Sequence, residues 1–553
     1  MRSEKWVTKG LRTSRRVVVC FGVAFYLVFS SVMLRLTVQA QSADNLRGGA
    51  RGVVRSPAGE PLEGIMVQLA SQKSSVRTTV YSNEEGRYEF PQLPAGLYTL
   101  RIARPLEFRP YQRDSVPIDG ATALEDIVLE RVTNSEFLPP APEIAVQLSG
   151  VEWVLSLPGS GEEKKRFINS CTNCHSYYQI LRNRHEERGW RLIVERMFRL
   201  RHSLETRPGG FSRGATQEDL NVITSFLGRV RGPESKDTPF VILPRPRGAA
   251  TRVIVTEYEM PHLRLYLNDV EGDSQGNIWF NSERAPYIGK LDPRTGTVKE
   301  YRLPSSPGVH PGASSFSIDQ NDMIWFSHNY EQKLTRLDPR TDTFHEVDLP
   351  PRKGDNPVSM GLGPDGAVWT SWDGMLNKID PQTGKYLKQY PLQGADAADS
   401  LVSADGKYWV GPTGATSVTV LDIPNEKMWE VKMSLPARLV KGGFDPDGNA
   451  WFGGRGGVVV KIDPRERRAA EYFPPTPYVT FLEAQPDKNG EVWAGYTQGG
   501  RMARFNPRTG RWIEYVMPEH YVRDQRAWID NSTDPVTVWY ANLGGIIRVQ
   551  PLE

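Results

Sequence analysis

The sequence predicts a multidomain, mainly β protein built of a small β-sandwich, a small all-α domain and a seven-bladed β-propeller closed by its own N-terminal strand. Three observations predict it. Seven tryptophans (Trp279, Trp325, Trp369, Trp409, Trp451, Trp493 and Trp539) recur at intervals of 46, 44, 40, 42, 42 and 46 residues, the period of about 40 to 50 residues expected of four-stranded blades. Upstream, Cys171-Thr172-Asn173-Cys174-His175 lies between two helical patterns. Further upstream, short runs alternating with period 2 are separated by turn residues over 47–132.

A chain of 553 residues is too long for one ordinary core, so several domains are expected. Its 50 glycines, 42 prolines and 14 tryptophans suit turn-rich β structure, and a formal net charge of +3 gives no electrostatic case for a nucleic-acid partner. At the N-terminus, Arg12, Arg15 and Arg16 precede a largely apolar run from Val17 to Leu34, and Val38-Gln39-Ala40 supplies small residues at cleavage positions. Residues 1–40 therefore read as an export signal or, left uncleaved, as a membrane anchor, since about 18 apolar residues is the lower limit for spanning. Either way the mature domains are expected outside the cytoplasm, in a periplasmic or similar compartment. Of the three cysteines, Cys20 lies in this leader, so after cleavage the only thiols are Cys171 and Cys174.

Within 47–132, Ile65-Met66-Val67-Gln68-Leu69 and Leu97-Tyr98-Thr99-Leu100 alternate between turns such as Gly59-Glu60-Pro61 and Asn83-Glu84-Glu85-Gly86. This is the pattern of a small antiparallel sandwich. The segment resembles the carboxypeptidase regulatory-like domain, a transthyretin-like sandwich, which implies a docking or spacing module without catalytic residues.

Residues 133–150, with Pro139-Pro140-Ala141-Pro142, read as a linker. Next comes the helical segment 151–232. Its Cys-x-x-Cys-His spacing lets two thiols add to the vinyl groups of one haem while the adjoining imidazole coordinates the iron. A zinc site would need two more ligands, borrowed from His185 and His202, and a thiol redox pair would need a thioredoxin-like surround. Residues 161–170 form a helix leading into the motif, and Thr216 with Asp219 opens a second one carrying Leu220, Ile223, Phe226 and Leu227 on one face. The segment resembles a class I cytochrome c. That resemblance implies one covalent haem c held by Cys171 and Cys174, with His175 as one axial ligand and Met197 as the other. Met197 shares a predicted helix with Trp190, Ile193 and Val194, where it could equally be core; His202 is the rival ligand and His185 a third. From Gly161 to Arg231 there are fourteen Lys and Arg against eight Asp and Glu, a basic rim that could steer an acidic redox partner.

A second proline-containing linker, 233–250, leads to the repeats of 251–553. Each tryptophan is followed by a turn such as Leu291-Asp292-Pro293-Arg294 or Ile462-Asp463-Pro464-Arg465 and then by an outer strand. The seventh unit ends before its outer strand, and Val253 to Met260 has the missing form, so the first strand is expected to complete the last blade. These units resemble the virginiamycin B (streptogramin) lyase propellers, which implies a lyase chemistry using a histidine, glutamates and a bound magnesium ion. Trp279-Phe280-Asn281-Ser282-Glu283 and Trp325-Phe326-Ser327-His328 stand where that family has Trp-Phe-Thr-Glu, and no unit keeps both a glutamate and a histidine there. Positions just before the innermost strands are expected to line the ring's mouth: His262, His310, Asn356, Asp396, Arg438, Glu483 and Arg526. Of these His310, Arg526 and His262, with Glu283, are the catalytic candidates.

The functional expectation is an exported mono-haem c-type cytochrome whose electron transfer is coupled to a propeller that binds a substrate or a redox protein. The alternatives are a streptogramin-type lyase with a fused cytochrome, and an electron carrier whose other domains serve only for interaction.

Overall fold

Successive strands and helices follow the periodicities of the sequence closely enough that each body is best described from its sheets. The computed structural model describes residues 46–132, 142–171, 175–199, 215–262, 266–282, 285–304, 312–328, 331–352, 359–394, 396–522 and 526–553. The leader, residues 1–40, and its export or anchoring role lie outside them. Among the described residues no helix is long and apolar enough to cross a membrane.

The sandwich comprises β1 (Arg51–Arg55), β2 (Met66–Ser71), β3 (Val76–Tyr81), β4 (Arg87–Glu89), β5 (Gly96–Ile102), β6 (Gln112–Ile118) and β7 (Ile127–Val128). One sheet has the order β4-β1-β7 and the other the order β3-β2-β5-β6. Val54, Val67, Leu69, Phe90, Leu100 and Ile127 are fully buried between them, the inward half of the period-2 pattern. The pairing is not wholly antiparallel as expected: β7 runs parallel to β1, because the chain returns to it by a long connection rather than a hairpin.

The helical body holds α1 (Pro142–Ala145), α2 (Gly150–Ser156), α3 (Gly161–Ser170), α4 (Tyr177–Leu181), α5 (Glu187–Arg199) and α6 (Gln217–Val230). Ser149, Ser160 and Thr216 each accept a backbone N–H at N3, and Glu152, Glu163 and Asp219 bond back to the cap, so α2, α3 and α6 start with capping boxes. Phe167, Tyr177, Leu181, Ile223 and Phe226 form a fully buried aromatic-aliphatic centre. The segment 233–250, expected to be a linker, is instead a strap on this body. Phe240 is edge-on to Trp153, Val241 N–H donates to Ser156 Oγ at 2.8 Å, and Leu243 N–H donates to Glu152 Oε1 at 2.9 Å.

Seven four-stranded antiparallel sheets make the propeller. Six span residues 267–302, 313–348, 360–391, 401–432, 438–472 and 485–516; the seventh joins Trp528–Asp530, Thr537–Ala541 and Gly545–Pro551 to β8 (Val253–Glu259). β8 pairs with Gly545–Pro551 from Pro551↔Val253 to Gly545↔Glu259, so the first strand of the repeat region does complete the last blade. Neighbouring innermost strands touch around the whole ring, and Trp528–Asp530 meets Leu267–Gly272 to close it.

The repeated tryptophan has a repeated job. The indole N–H of Trp279, Trp325, Trp451 and Trp493 donates to the aspartate six residues earlier (Asp273, Asp319, Asp445 and Asp487) at 2.9, 2.8, 2.8 and 3.0 Å. That carboxylate also ties the turn between the first two strands of its blade. In the third, fourth and seventh blades Gly363, Ser403 and Thr533 occupy the position.

Two of the joints between the bodies are not announced by the sequence pattern. The free edge of β8 pairs antiparallel with β3, Val76↔Tyr258 to Thr79↔Val255, so sandwich and last blade share one eight-stranded sheet. At the other joint, Arg104 of the sandwich meets Glu152 of α2 at 3.3 Å and the carbonyls of Gln147 and Met517 at 3.1 and 3.5 Å. Both charged side chains are buried, which makes their pairing obligatory.

Candidate functional site

Two places gather chemistry. The first is the end of α3. Phe167 O accepts the N–H of Cys171, which caps the helix, and the Cys171 side chain packs half-buried against the aromatic centre. Four residues on, His175 has Nδ1 3.2 Å from Ser176 O, a contact that in the neutral ring places the proton on Nδ1 and the lone pair on Nε2. This is the tautomer a metal-ligating imidazole uses, with a backbone carbonyl orienting the ring. Cys174 and His202 lie outside the described residues.

Helix α5 has two faces. Trp190, Val194 and Phe198 are buried, whereas Leu192, Ile193 and Met197 are exposed, Met197 at 43%. The core role considered for Met197 is therefore corrected. It lies at the edge of the buried 190-194-198 stripe, which advances by fours and drifts away from it, so its side chain is left exposed. His185 is engaged differently, edge-on to Trp190 at 5.0 Å.

The residues present suit a covalent haem: a helix-end thiol on an aromatic core, an imidazole with its second nitrogen oriented, and an exposed apolar helix face bearing a thioether in the same body. In that position Cys171 and Cys174 would anchor the group, His175 and Met197 would ligate it, and it would supply one-electron chemistry.

The second place is the propeller axis. Asp269 and Glu271 come from the innermost strand of the first blade, Asp399 and Lys441 from the starts of the fourth and fifth, and Glu483 and Arg526 from just before the innermost strands of the sixth and seventh. Arg526 Nη2 lies 2.9 and 3.1 Å from the two oxygens of Asp399, and its Nε is 3.8 Å from Asp269 Oδ2. The Lys441 ammonium pairs with Asp269 from across the ring. Glu483 accepts the Ala527 N–H and, at 3.2 Å, a Gln485 amide proton. Asp269, Asp399 and Glu483 are fully buried, so four carboxylates face two cations in a site largely withdrawn from water.

That imbalance shows in the titration. Burial raises Glu271 to about 7, opposed by Arg526 and the Ile318 N–H, and raises Glu483 likewise to about 7. Burial alone would lower Arg526, but Asp399, Asp269, Glu483 and Glu271 together hold it above its ordinary value.

Of the positions expected at the ring's mouth, the structure brings Glu483 and Arg526 to the axis and leaves three elsewhere. His262 is not there: it stacks on Tyr287 and bonds Glu300 Oε1 at 3.0 Å on the outer strands of the first blade. The physical reason is radial. β8 is an outermost strand, so residues just after it are still at the rim. Asp396 caps a hairpin by accepting the Gly374 N–H at 2.9 Å, and Arg438 opens its strand at an exposed position. His310, Glu283 and Asn356 lie outside the described residues. Asp269, Glu271, Asp399 and Lys441 went unread, because the innermost strands that carry or adjoin them mix polar with apolar residues, as in Leu267-Asn268-Asp269-Val270-Glu271, and only the ring brings them together.

Among the described residues one group, His328, Glu331 and Glu346 in the second blade, has side-chain spacing that could hold a metal ion. Each carboxylate is 3.9 Å from a different ring nitrogen of His328, and Lys333 Nζ already sits 3.3 Å from Glu346 Oε2. Burial, offset by these two glutamates, lowers the histidine below its ordinary value. His328 Nε2 is already bonded to Thr335 Oγ1 at 2.9 Å, with a carboxylate on either side of the ring and Lys333 beside one of them.

Residues 49–130 match the carboxypeptidase regulatory-like domain. No curated protein matches the chain by sequence. Among solved structures, virginiamycin B lyase from Staphylococcus aureus is similar at 18% identity and a TM-score of 0.48, over 54% of this chain and 99% of that one. A streptogramin B lyase is similar at 20% identity and a TM-score of 0.47, over 55% and 99%. A catalytically inactive histidine-to-alanine variant of the Staphylococcus aureus enzyme with quinupristin is similar at 18% identity and a TM-score of 0.48, over 54% and 99%. At these identities the likeness carries no activity to this chain.

Proposed function

We propose that this protein is an exported mono-haem c-type cytochrome performing electron transfer, with the propeller serving as the binding face for a substrate or redox partner. The observation that carries the reading is the pairing of Cys171, held at a helix end against an aromatic core, with a His175 imidazole whose Nδ1 faces a backbone carbonyl. A bound haem would supply a reversible one-electron couple. Cys171 and Cys174 would hold it, Ser176 O would orient the His175 imidazole toward it, and Met197 would offer the sulfur ligand, which favours a higher potential than a second histidine. At the axis, the surplus of carboxylates favours a ligand that brings positive charge or hydrogen-bond donors.

The test is the visible spectrum of the purified exported protein, oxidised and reduced. A covalent haem that survives denaturation, with a weak sulfur-to-iron band lost in Met197→Ala while haem is retained, is the expected result. Protein without covalent haem refutes the reading. Haem without the sulfur band points to His202 as sixth ligand or to an open sixth position.

A further inference from the structure

The propeller reaches into the haem-motif loop through one side chain. Gln498 lies in the turn between Val492–Tyr496 and Arg501–Asn506 of the sixth blade and is fully buried. Its Nε2 donates to His175 O at 3.1 Å, and its Oε1 accepts the Tyr177 N–H at 3.2 Å. A neighbouring strand would bond residues 175 and 177 in the same way, through a carbonyl and an amide two residues apart. The turn is itself fixed to the helical body, because Gln498 O accepts the Val151 N–H at 2.9 Å. Gly150 makes room for it, since a Cβ there would stand 2.5 Å from Gln498 Oε1. On the far side Tyr177 is fully buried against Phe167, ring centres 4.9 Å apart.

We infer that Gln498 is a positioning residue for the axial histidine: the propeller, through this amide, sets the backbone on which His175 presents its imidazole. The inference rests on the reading of Cys171-x-x-Cys174-His175 as a haem site. Within that reading it assigns the orientation of the ligand to a side chain 323 residues away in sequence, on another domain. The mechanism is mechanical. Ser176 O, which orients the His175 ring, belongs to the peptide segment that Gln498 clamps at both ends, so loosening the clamp loosens the ring. Partners that orient a metal-ligating histidine change metal affinity by about 10- to 100-fold when removed.

The experiment uses the full-length haem protein and three variants, Gln498→Met, Gln498→Glu and Glu152→Gln, with midpoint potential and the sulfur-to-iron band as readouts. Gln498→Met keeps the length and removes both bonds. Gln498→Glu keeps the acceptor for Tyr177 N–H but sets an acceptor against His175 O. Glu152→Gln weakens the nearby interdomain joint with Arg104 without touching residues 175–177. The expected result is unchanged haem content in all three. A downward shift of at least about 59 mV, one tenfold change for a one-electron couple, and a weakened band are expected in both Gln498 variants alone. If Gln498→Met does not fold, Gln498→Glu decides. Potentials unchanged in the Gln498 variants, or moved equally by Glu152→Gln, overturn the inference. A wild-type protein lacking covalent haem would instead remove the reading on which it stands.

Discussion

Replacing Arg526 by methionine removes the guanidinium that holds the axis together, and its cost can be worked from the contacts. Asp399 is fully buried and has three supports: Ser359 Oγ–H at 2.8 Å, Gly442 N–H at 3.3 Å and the Arg526 pair at 2.9 and 3.1 Å. Without Arg526 two neutral donors remain for a buried charge. Breaking a buried ion pair from one side costs about 3 to 5 kcal/mol. Asp269 retains Lys441, so the loss should fall on Asp399 and place the variant near the lower end of that range. Adding Asp399→Asn removes the orphaned charge while keeping an acceptor for the Ser359 hydroxyl, and should recover about 1 to 3 kcal/mol. Urea unfolding followed by tryptophan fluorescence reads the difference, since a fully buried tryptophan sits in most blades. A single variant within about 0.5 kcal/mol of wild type, the usual scale of a surface change, or a double variant no more stable than the single one, would refute the reasoning that the axis is held by cross-ring charge pairing.

Three further outcomes are expected. Glu271 and Glu483 have folded values raised to about 7, above the ordinary 4.5, so their contribution to stability is fully present below about pH 4.5 and is lost as pH rises through about 7; the melting temperature should fall between pH 5 and 8, and Glu271→Gln with Glu483→Gln should flatten that fall. Among the described residues Trp409 Nε1 is buried with no hydrogen-bond partner, because Ser403, spent on the N–H groups of Lys407 and Tyr408, is too short to do what aspartate does in four other blades. Ser403→Asp should gain about 1 kcal/mol and Asp445→Ser lose about 1.5 to 3 kcal/mol in thermal unfolding, and an unchanged Asp445→Ser would discount the Asp-Trp bond. Arg104→Met, which strands the buried Glu152, should cost about 3 kcal/mol or more and separate the unfolding of sandwich and propeller in calorimetry; a single unshifted transition would count against that joint.

The ring was legible because every blade spends the same strand on the same tryptophan, and its closure because the seventh unit lacks a strand whose form recurs at Val253–Glu259. The pairing of β3 with β8 was not legible, since an outermost strand carries no mark of what will cover its edge. Its trace is indirect: Gln68 is fully buried and bonds Thr79 and Glu257, a polar chain that makes sense only once the two sheets are one. At the axis, Arg526 and Glu483 could be read from their place before an innermost strand. Their partners could not, because Arg526 and Asp399 are 127 residues apart and Lys441 and Asp269 are 172 apart, paired only by ring geometry.

His262 at the ring's mouth and the core reading of Met197 failed for a shared reason: each was placed by distance along the chain when the deciding coordinate was radial or angular. Met197 is three residues from Val194 and seven from Trp190, which spacing alone allows on the core side, yet the buried stripe advances by fours and leaves it outside. His262 precedes an innermost strand but still lies over the blade's outer strands. The same distinction separates Gln498 from a residue that merely fills an interface. Its position in a blade turn predicts solvent exposure, and it is instead fully buried with both amide atoms committed to the backbone on either side of Ser176. A buried amide with both ends paired across a domain boundary fixes the register of what it touches, and here it touches the segment that carries the proposed axial ligand.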